Sequence, residues 1–528
     1  MQFGRNVIYT DVQEVTYENI IPILQEVFQQ HLVNSARINY LLEYEAGNQP
    51  LMRTKKYRAD IDCKCVDNVA HEISKFHIGY KWGIPITIVQ RGEKDSGKKN
   101  ENEVSAITLL NEQYETQQIR KKTQKLARFV EIGGVGYTFV DINPEYEDGE
   151  SYFCIEALDP RTTFVVRSSY YYDERVMIGV TYRRDNKGNH FFTCFTPKYR
   201  FEILNLVKIT NGKKVEQKES WEHFERSGEI NPIGRVPIIE WIRSDDRMGC
   251  FERQISDLDN LNLLISDFTN DVDQNTQTIW HTNDVDFPVE VKENTDGSKT
   301  ESTRKPKSGD WVQTYTSQDG KTPFVKPLAV DYDYPGMLQN IITRRATILQ
   351  NADVPSRNDN SGGSTGVAMS DATGWSNAET IASAQQNIME GCKMEEIKVV
   401  LSAIKNSADV PADSPLLDLM ARDCQPNIKR NKTYELASKT NAWATLVSHG
   451  MNGYHALKTV NLVDDVNQVW EDSREGVEMY QNSVYGNAVQ NNKAVGGNGE
   501  NKPNADRLQA DLSDQINNSP NLDGIKTA

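Results

Sequence analysis

The amino-acid sequence predicts an α+β fold. Three observations lead to this prediction: apolar residues at helical spacing before Gly136, strand-like alternation after it, and two later helical segments that flank a strand-rich insertion. The change from helical to strand-like patterning part-way along the chain indicates that helices and strands are grouped separately.

Three helical regions are predicted before Gly136. The first ends by Gly47 and spaces its apolar residues at helical intervals, at Ile20, Leu24, Val27 and Phe28. The second is VDNVAHEISKFHIGYKWGIP, and the third is EVSAITLLNEQYETQQIRKKTQKLARFVEIGG. A basic cluster in the third region is expected to be a charged helix face rather than a phosphate patch; it comprises Arg120, Lys121, Lys122, Lys125 and Arg128.

An antiparallel sheet is predicted from Gly136 onward. Short alternating segments rich in Val, Phe, Tyr and Thr follow one another, among them GYTFVDINPE, TFVVRSSYYYDE and RFEILNLV, and turns such as Asp-Asn-Lys-Gly separate them. The segment GRVPIIEWIRSDD closes the region.

A pair of helices with an insertion between them comes next. The first helix spaces apolar residues by alternating steps of three and four, which indicates packing on neighbouring helices; this seam is Leu258, Leu261, Ile265, Phe268 and Val272. Its other face is predicted to carry Asp257, Asp259, Asp267, Asp271 and Asp273. A Lys-rich strand-and-turn insertion follows, and a second helix, Tyr334–Asn351, returns from it.

A small, polar, flexible segment, SRNDNSGGSTGVAMSDATGW, occupies residues 356–375 between two helices. A linker, a phosphate cradle and a mobile element are all compatible with its composition. A long amphipathic helix and a last small helical unit come after it. Beyond about residue 487 the chain is rich in Asn and Gly and is predicted to be disordered.

Composition restricts the function. The formal net charge is -16, from 59 Lys+Arg against 75 Asp+Glu, which argues against a general nucleic-acid clamp but not against DNA passing close by. The 7 cysteines are sparse, so a reducing compartment is expected, and Cys63 and Cys65 are interpreted as two ordinary thiols. No apolar run approaches the length of a membrane span and no signal peptide is recognisable, so a soluble protein made in the cytoplasm is expected.

No motif supports catalysis, a metal site or a cofactor. The segment SGGSTG lacks the Lys-Ser/Thr of a phosphate-binding loop, and the paired acids of DLDNLN and DVDF lack the spacing of a calcium loop. An enzyme is therefore not expected.

The order of elements resembles the portal proteins of tailed bacteriophages, of the type found in siphophages. The stretches that carry the resemblance are YLLEYEAGNQPLMRTKKYR, NVAHEISKFHIGYKWGIPITI, GVGYTFV with EALDPRTTFVV, GRVPIIEW before an Asp- and Asn-rich helix, and ILQNADVPS leading into SGGSTGVAM. The loop departs from the usual pattern by an extra glycine and by Gly374-Trp375 beyond it.

The resemblance implies a portal-type fold with long stem and wing helices, an antiparallel β wing region, a small α/β clip and a helical crown. Its implied divisions are a wing (1–245), a first stem helix (246–276), a clip (277–332), a second stem helix (333–352), a tunnel loop (353–375), a long wing helix with its connection (376–430), a crown (431–487) and a disordered tail (488–528).

The resemblance also implies partners and sites. It implies a dodecameric ring at the portal vertex of the virion, assembled in the host cytoplasm. Its partners would be double-stranded DNA, the terminase motor, a head-tail adaptor, and the major capsid and scaffolding proteins, with no membrane. The tunnel loop would face DNA with Asn358, Ser361, Gly362, Gly363, Ser364, Thr365 and Gly366; the seam given above would pack the stem; and Arg304, Lys305, Lys307 and Trp311 of the clip would bind partners.

Two other readings stay open at this point. One is another ring-forming head-tail connector or adaptor protein. The other is an enzyme whose active-site loop is the Gly/Ser segment, although the sequence offers no catalytic partner for it.

Overall fold

The computed structural model describes most of the chain, and the structural statements below concern only the residues that it describes. The residues left out are 1–3, 52–61, 92–105, 148, 171–174, 187, 207–219, 277–279, 284, 287–288, 294–298, 304–312, 315–321, 323, 328–332, 356–373, 431–435, 461, 464–465, 467–468, 471–472 and 474–528. The chain divides into two compact units, Met1–Thr433 and Tyr434–Ala528.

Some helices of the first unit begin at a polar side chain that caps them. The Asn68 side chain accepts a hydrogen bond from the His71 amide at 3.3 Å, and Asp333 accepts one from Gly336 at 3.0 Å, with Pro335 in the first turn. The helices described in the first unit are α1 (Ile20–Glu45), α2 (Val69–Lys81), α3 (Ala106–Thr116), α4 (Ile119–Gly133), α5 (Ile255–Thr276), α6 (Tyr334–Asn351) and α7 (Trp375–Asn406). Two 3-10 turns accompany them, Glu252–Gln254 and Ala421–Asp423.

The described part of the second unit is helical. Its helices are α8 (Leu436–Ser448) and α9 (Gly453–Val460). The indole of Trp443, in the middle of α8, donates to the carbonyl of Gly453 at the start of α9 at 3.4 Å, which ties the two helices together.

The strands found among the described residues all lie in the first unit. They are β1 (Tyr9–Thr10), β2 (Thr87–Gln90), β3 (Val135–Ile142), β4 (Phe153–Leu158), β5 (Thr163–Ser168), β6 (Val176–Arg184), β7 (His190–Phe195), β8 (Tyr199–Leu206), β9 (Ser220–His223), β10 (Glu229–Ile230), β11 (Ile238–Ile242), β12 (Trp280–Asn283), β13 (Val285–Asp286), β14 (Val289–Glu293), β15 (Lys299–Thr303), β16 (Gln313–Thr314), β17 (Phe324–Pro327) and β18 (Cys424–Asn427).

The strand region forms two main sheets rather than one. The larger has the order β1-β5-β6-β7-β8-β10, with β9 also pairing β8, and the smaller has the order β11-β3-β4. All of these pairs are antiparallel except β1 with β5, which is parallel with Tyr9 opposite Arg167. Between α5 and α6 the described strands form three two-stranded sheets, which pair β12 with β17, β13 with β16, and β14 with β15.

Each of the two main sheets packs against helices through its own apolar core. Helix α1 covers one face of the larger sheet, where Leu24 and Phe28 meet Phe164 and Phe192. Helices α3, α4 and α7 pack on the smaller sheet, in a core that contains Ile397. These arrangements follow from the alternation of the strands, which places one apolar face of each sheet against an amphipathic helix.

The mixed helix-and-sheet class is confirmed, but several local predictions need correction. The third helical region is two helices, because Gln118 adopts a left-handed conformation (φ 53°) between α3 and α4. The first stem helix was expected over 246–276, but a 3-10 turn precedes α5, which begins at Ile255. The parallel strand β1 lies in a segment for which no strand was predicted.

Gly134 provides a test of the turn that joins α4 to β3. Its φ is +78°, and a Cβ there would lie 2.2 Å from the backbone oxygen of Arg247. Gly134→Ala should therefore lower the free energy of unfolding by at least ~2 kcal/mol. As a control, Gly391→Ala in α7, where a Cβ meets nothing within 4 Å, should stabilise the protein by about 1 kcal/mol. Denaturant unfolding measures both, and equal stability of the two variants would contradict this account of the turn.

Candidate functional site

The base of the α5–α6 helix pair is built into an apolar core of the same chain. Leu258 and Leu261 are buried there beside Tyr44 of α1 and Ile348 of α6, and Ile265 packs against the same cluster. The first part of the predicted seam therefore stabilises the subunit itself. Leu261→Asp would consequently disturb folding, and it cannot report on assembly alone.

Farther along α5 the seam loses its cover. The ring of Phe268 meets Tyr334 of α6 edge-on, with centroids 5.9 Å apart. Val272, one turn beyond, is 39% exposed. Packing within the chain therefore decreases from the base of the pair toward its far end.

An extended segment, residues 62–67, lies antiparallel along α5; we call it the strap. The amides of Cys63 and Asp67 donate to the side-chain oxygens of Asn270 (2.8 Å) and Asn262 (2.9 Å). Between them the Cys65 amide donates to Ser266 Oγ at 3.0 Å. Two extended residues advance about 6.6 Å and four helical residues about 6 Å, so alternate strap residues match every fourth residue of the helix.

Asn262, Ser266 and Asn270 bind the strap, and the sequence reasoning missed them. All three are buried, because each is covered by the strap that it binds. The sequence does show them, as small polar residues at positions i, i+4 and i+8 of an amphipathic helix. Such residues are ordinarily solvated, and the sequence alone gives no reason to pair them with a segment two hundred residues earlier.

The aspartates of α5 do not form the single exposed face that was predicted. Asp259 accepts a hydrogen bond from the Tyr44 hydroxyl at 2.7 Å, and burial together with this bond raises the pKa of Tyr44. Asp273 lies on the strap side, with Oδ2 3.5 Å from the Cys63 sulfur. Asp257, Asp267 and Asp271 lie on the side of α5 away from the strap.

A buried ionic cluster fixes the base of the pair. The Glu131 carboxylate accepts hydrogen bonds from Lys81 Nζ (3.0 and 3.1 Å), from Arg243 Nε (3.0 Å) and from the Trp82 indole (3.0 Å). Burial alone would raise the pKa of Glu131, but Lys81 and Arg243 lower it well below its ordinary value. The Glu131 carbonyl also accepts the Cys250 amide at 2.7 Å, just before α5.

His77 holds the end of α6 at this same base. Its Nε2 lies 2.9 Å from the carbonyl oxygen of Ala352, the residue that caps α6. Burial lowers the pKa of His77 to about 3, so the ring is neutral and Nε2 is the donor. The α2 helix thereby fixes the point at which the chain leaves α6.

Helix α6 presents apolar side chains to solvent. Leu338 is 48% and Ile342 52% exposed, and Ile348 is the residue of this helix that is buried. Arg345, on the same helix face, donates to Asp67 of the strap at 2.9 Å and to Glu72 of α2 at 2.5 Å. The exposed apolar face therefore runs beside the strap.

The other predicted site residues lie outside the described part of the chain. These are the tunnel-loop residues Asn358, Ser361, Gly362, Gly363, Ser364, Thr365 and Gly366, and the clip residues Arg304, Lys305, Lys307 and Trp311. Within the predicted clip range, Val289 and Val291 of β14 are described and are each 53% exposed.

With this geometry in place, the comparison with known families is informative. A family model described as "Phage portal protein, SPP1 Gp6-like" matches residues 24–483, well over half of the chain. The chain belongs to this family. The resemblance inferred from the order of sequence elements is thus confirmed, and it supports a portal or head-tail connector role.

Other comparisons add little. One solved structure to which the chain is similar is titled "Neck of empty GTA particle computed with C6 symmetry"; the identity is 12%, the TM-score 0.37, and the match covers 79% of this chain and 96% of that chain. At that TM-score the likeness supports no conclusion about this chain. No curated protein matches.

Within the described ranges, no helix is long and apolar enough to cross a membrane. Nor do these ranges contain a group of three or more His, Cys, Asp or Glu side chains that could hold a metal ion.

Asn262→Ala tests the strap contacts. Asn262 is 1% exposed, and besides accepting the Asp67 amide it donates to Gln49 at 2.5 Å. The change should lower the free energy of unfolding by about 2–4 kcal/mol, since it leaves buried polar groups without partners. Asn260→Ala, at an exposed position one residue before Leu261, should change it by less than about 0.5 kcal/mol. Similar denaturation midpoints for the two variants would show that the strap contributes no stability.

His77 predicts a dependence of stability on pH. Its folded-state pKa of about 3 is below the ordinary value near 6.5, so the unfolded chain binds more protons between these pH values. Stability should therefore fall as pH decreases from about 6.5 to 3, by up to about 1.4 kcal/mol per pH unit from this residue. His77→Gln, whose amide can still donate to Ala352, should reduce that slope in urea unfolding measured across this pH range. An unchanged slope would contradict a neutral, buried His77.

Proposed function

We propose that this chain is the subunit of a portal ring at one capsid vertex of the virion, through which double-stranded DNA is packaged and ejected. Membership of the portal family supports the class of function. The observation that carries the proposal is the unpartnered apolar face of α6, formed by Leu338 and Ile342. An amphipathic helix gains stability when such a face is covered, and a neighbouring subunit provides the cover.

The proposed ring contact joins two different faces of the α5–α6 pair, which would be the stem. One face bears Leu338 and Ile342 beside the strap. The other is the back of α5, where Leu264 and Asp271 lie about 160–200° around the helix from Asn262. Because these faces differ, subunits meet head to tail, which generates a ring when the rotation closes.

The remaining parts of the family architecture complete the proposal. A dodecameric ring is what the family resemblance implies. The loop residues Asn358 and 361–366 would contact DNA weakly, since Arg357 is the one basic residue between 356 and 375. The clip residues Arg304, Lys305, Lys307 and Trp311 would dock the terminase and the head-tail adaptor, and no catalysis is expected of the subunit.

An acidic subunit suits a channel through which DNA must move. The whole chain has a net charge of -16. Negative walls repel phosphates, so the duplex would slide without the salt-sensitive attraction that holds DNA-binding proteins in place.

The double variant Leu338→Asp/Ile342→Asp tests the proposal. Both side chains are about half exposed in the subunit, so folding should persist, whereas burial of two unpaired charges in a stem contact should prevent ring formation. Sedimentation and negative-stain imaging of purified protein should give rings for the wild type and single subunits for the variant.

Asn340→Asp is the matched control, because Asn340 is exposed on α6 and lies about 160–200° around the helix from Ile342 and Leu338. It should form rings like the wild type. Rings in the double variant would exclude this face as the contact, and a wild type that stays monomeric at every concentration would contradict the portal proposal itself.

A further inference from the structure

Two thiols lie close together on the strap. Cys63 and Cys65 are one residue apart in extended backbone, so their side chains project from the same side. Both are directed at α5: Cys63 Sγ is 3.5 Å from Asp273 Oδ2, and Cys65 Sγ is 3.7 Å from Thr269 Oγ1. Cys63 is exposed and Cys65 half-buried, whereas Cys194, Cys250 and Cys424 are buried.

The same two residues hold the strap on the helix through their backbones. Asn270 accepts the Cys63 amide at 2.8 Å and donates to the Cys63 carbonyl at 3.2 Å. Ser266 accepts the Cys65 amide at 3.0 Å and donates to the Cys65 carbonyl at 3.2 Å. Any reaction that changes the backbone between the two cysteines must therefore disturb the attachment of the strap.

We propose that Cys63 and Cys65 form a dithiol site that exchanges with low-molecular-weight disulfides, and that closure of a bridge between them releases the strap from α5. The Cys63 thiolate attacks one sulfur of the small disulfide RSSR and expels RS⁻, which takes up a proton as RSH. The Cys65 thiolate then attacks the mixed disulfide and expels a second RS⁻. In total, two protein thiols are oxidised to one disulfide while RSSR is reduced to two RSH.

Geometry explains why the bridge and the attached strap exclude each other. In an extended segment the Cα atoms of residues i and i+2, and with them the Cβ atoms, are about 6.6 Å apart. A disulfide requires Cβ atoms about 3.5–4.5 Å apart. The backbone around Lys64 must therefore bend, which breaks the match between alternate strap residues and every fourth residue of α5.

Asp273 restrains this reaction in the attached state. The hydrogen bond from the Cys63 thiol to the Asp273 carboxylate, followed by burial, raises the pKa of Cys63. Less thiolate is then present at neutral pH, and the thiolate is the species that attacks disulfides. The site is expected to react slowly while the carboxylate is present and faster when its charge is removed.

The exchange itself does not depend on ring formation. Its consequence for assembly does rest on the proposed function, because Asp67 at the end of the strap binds Arg345 beside the exposed face of α6. Experiments on the strap can therefore succeed or fail independently of the portal proposal.

The experiment treats the full-length protein with oxidised glutathione and follows both chemistry and structure. Trypsin cleaves after Lys64 and so separates the cysteines; peptides that stay linked until reduction identify the Cys63–Cys65 bridge by mass spectrometry. Hydrogen exchange then reports the protection of the Cys63, Cys65 and Asp67 amides. We expect bridge formation together with loss of that protection, while the protection of α1 remains.

Three variants give the site its controls. Cys65→Ser should stop at a glutathione adduct on Cys63, and Cys63→Ser should form no bridge. Asp273→Asn should form the bridge several-fold faster than the wild type. An oxidised wild type that carries an adduct but no bridge, or a bridged protein whose strap amides remain protected, would overturn the proposal.

Discussion

The buried carboxylate of Glu131 is the interaction on which the arrangement of the subunit depends. Its side chain receives Lys81 from the end of α2 and Arg243 from the segment after β11, and its backbone carbonyl receives the amide of Cys250 before α5. Removal of one partner would leave a buried charge uncompensated, at a cost of about 3–5 kcal/mol. Glu131 thus links α2 and α4 to the smaller sheet and to the start of α5. These contacts set the direction in which the α5–α6 pair leaves the core.

Because of this constraint, the α5–α6 pair is firmly held at its base and less covered at its far end. At the base, Leu258 and Leu261 lie in a core of the same chain, and His77 binds the carbonyl at the end of α6. Farther out the strap covers one side of α5, and apolar side chains such as Ile342 meet solvent. The same two helices are therefore firmly packed within the subunit at their base and leave apolar surface exposed farther out. A subunit that assembles with a neighbour requires both features.

The sequence predicted well what depends on local periodicity. Helix α6 has the predicted bounds, and the main β region begins at Val135, one residue before the predicted start at Gly136. It failed where long-range contacts decide: Asp259 was assigned to an exposed face because no local pattern points to Tyr44, and Gln118 breaks a helix that propensity favours. The strap was missed for the same reason, since its partners are separated from it by about two hundred residues.

The most direct measurement of the central claim is disulfide cross-linking between Ile342→Cys on α6 and Leu264→Cys on the back of α5, in a Cys63→Ser background. These positions lie on the two faces proposed to meet in neighbouring subunits, so mild oxidation should produce a ladder of covalent oligomers up to the size of the ring, and either single cysteine variant should give none. A protein that forms rings but yields no ladder would contradict the proposed contact, and a ladder absent because the protein stays monomeric would contradict the portal assignment.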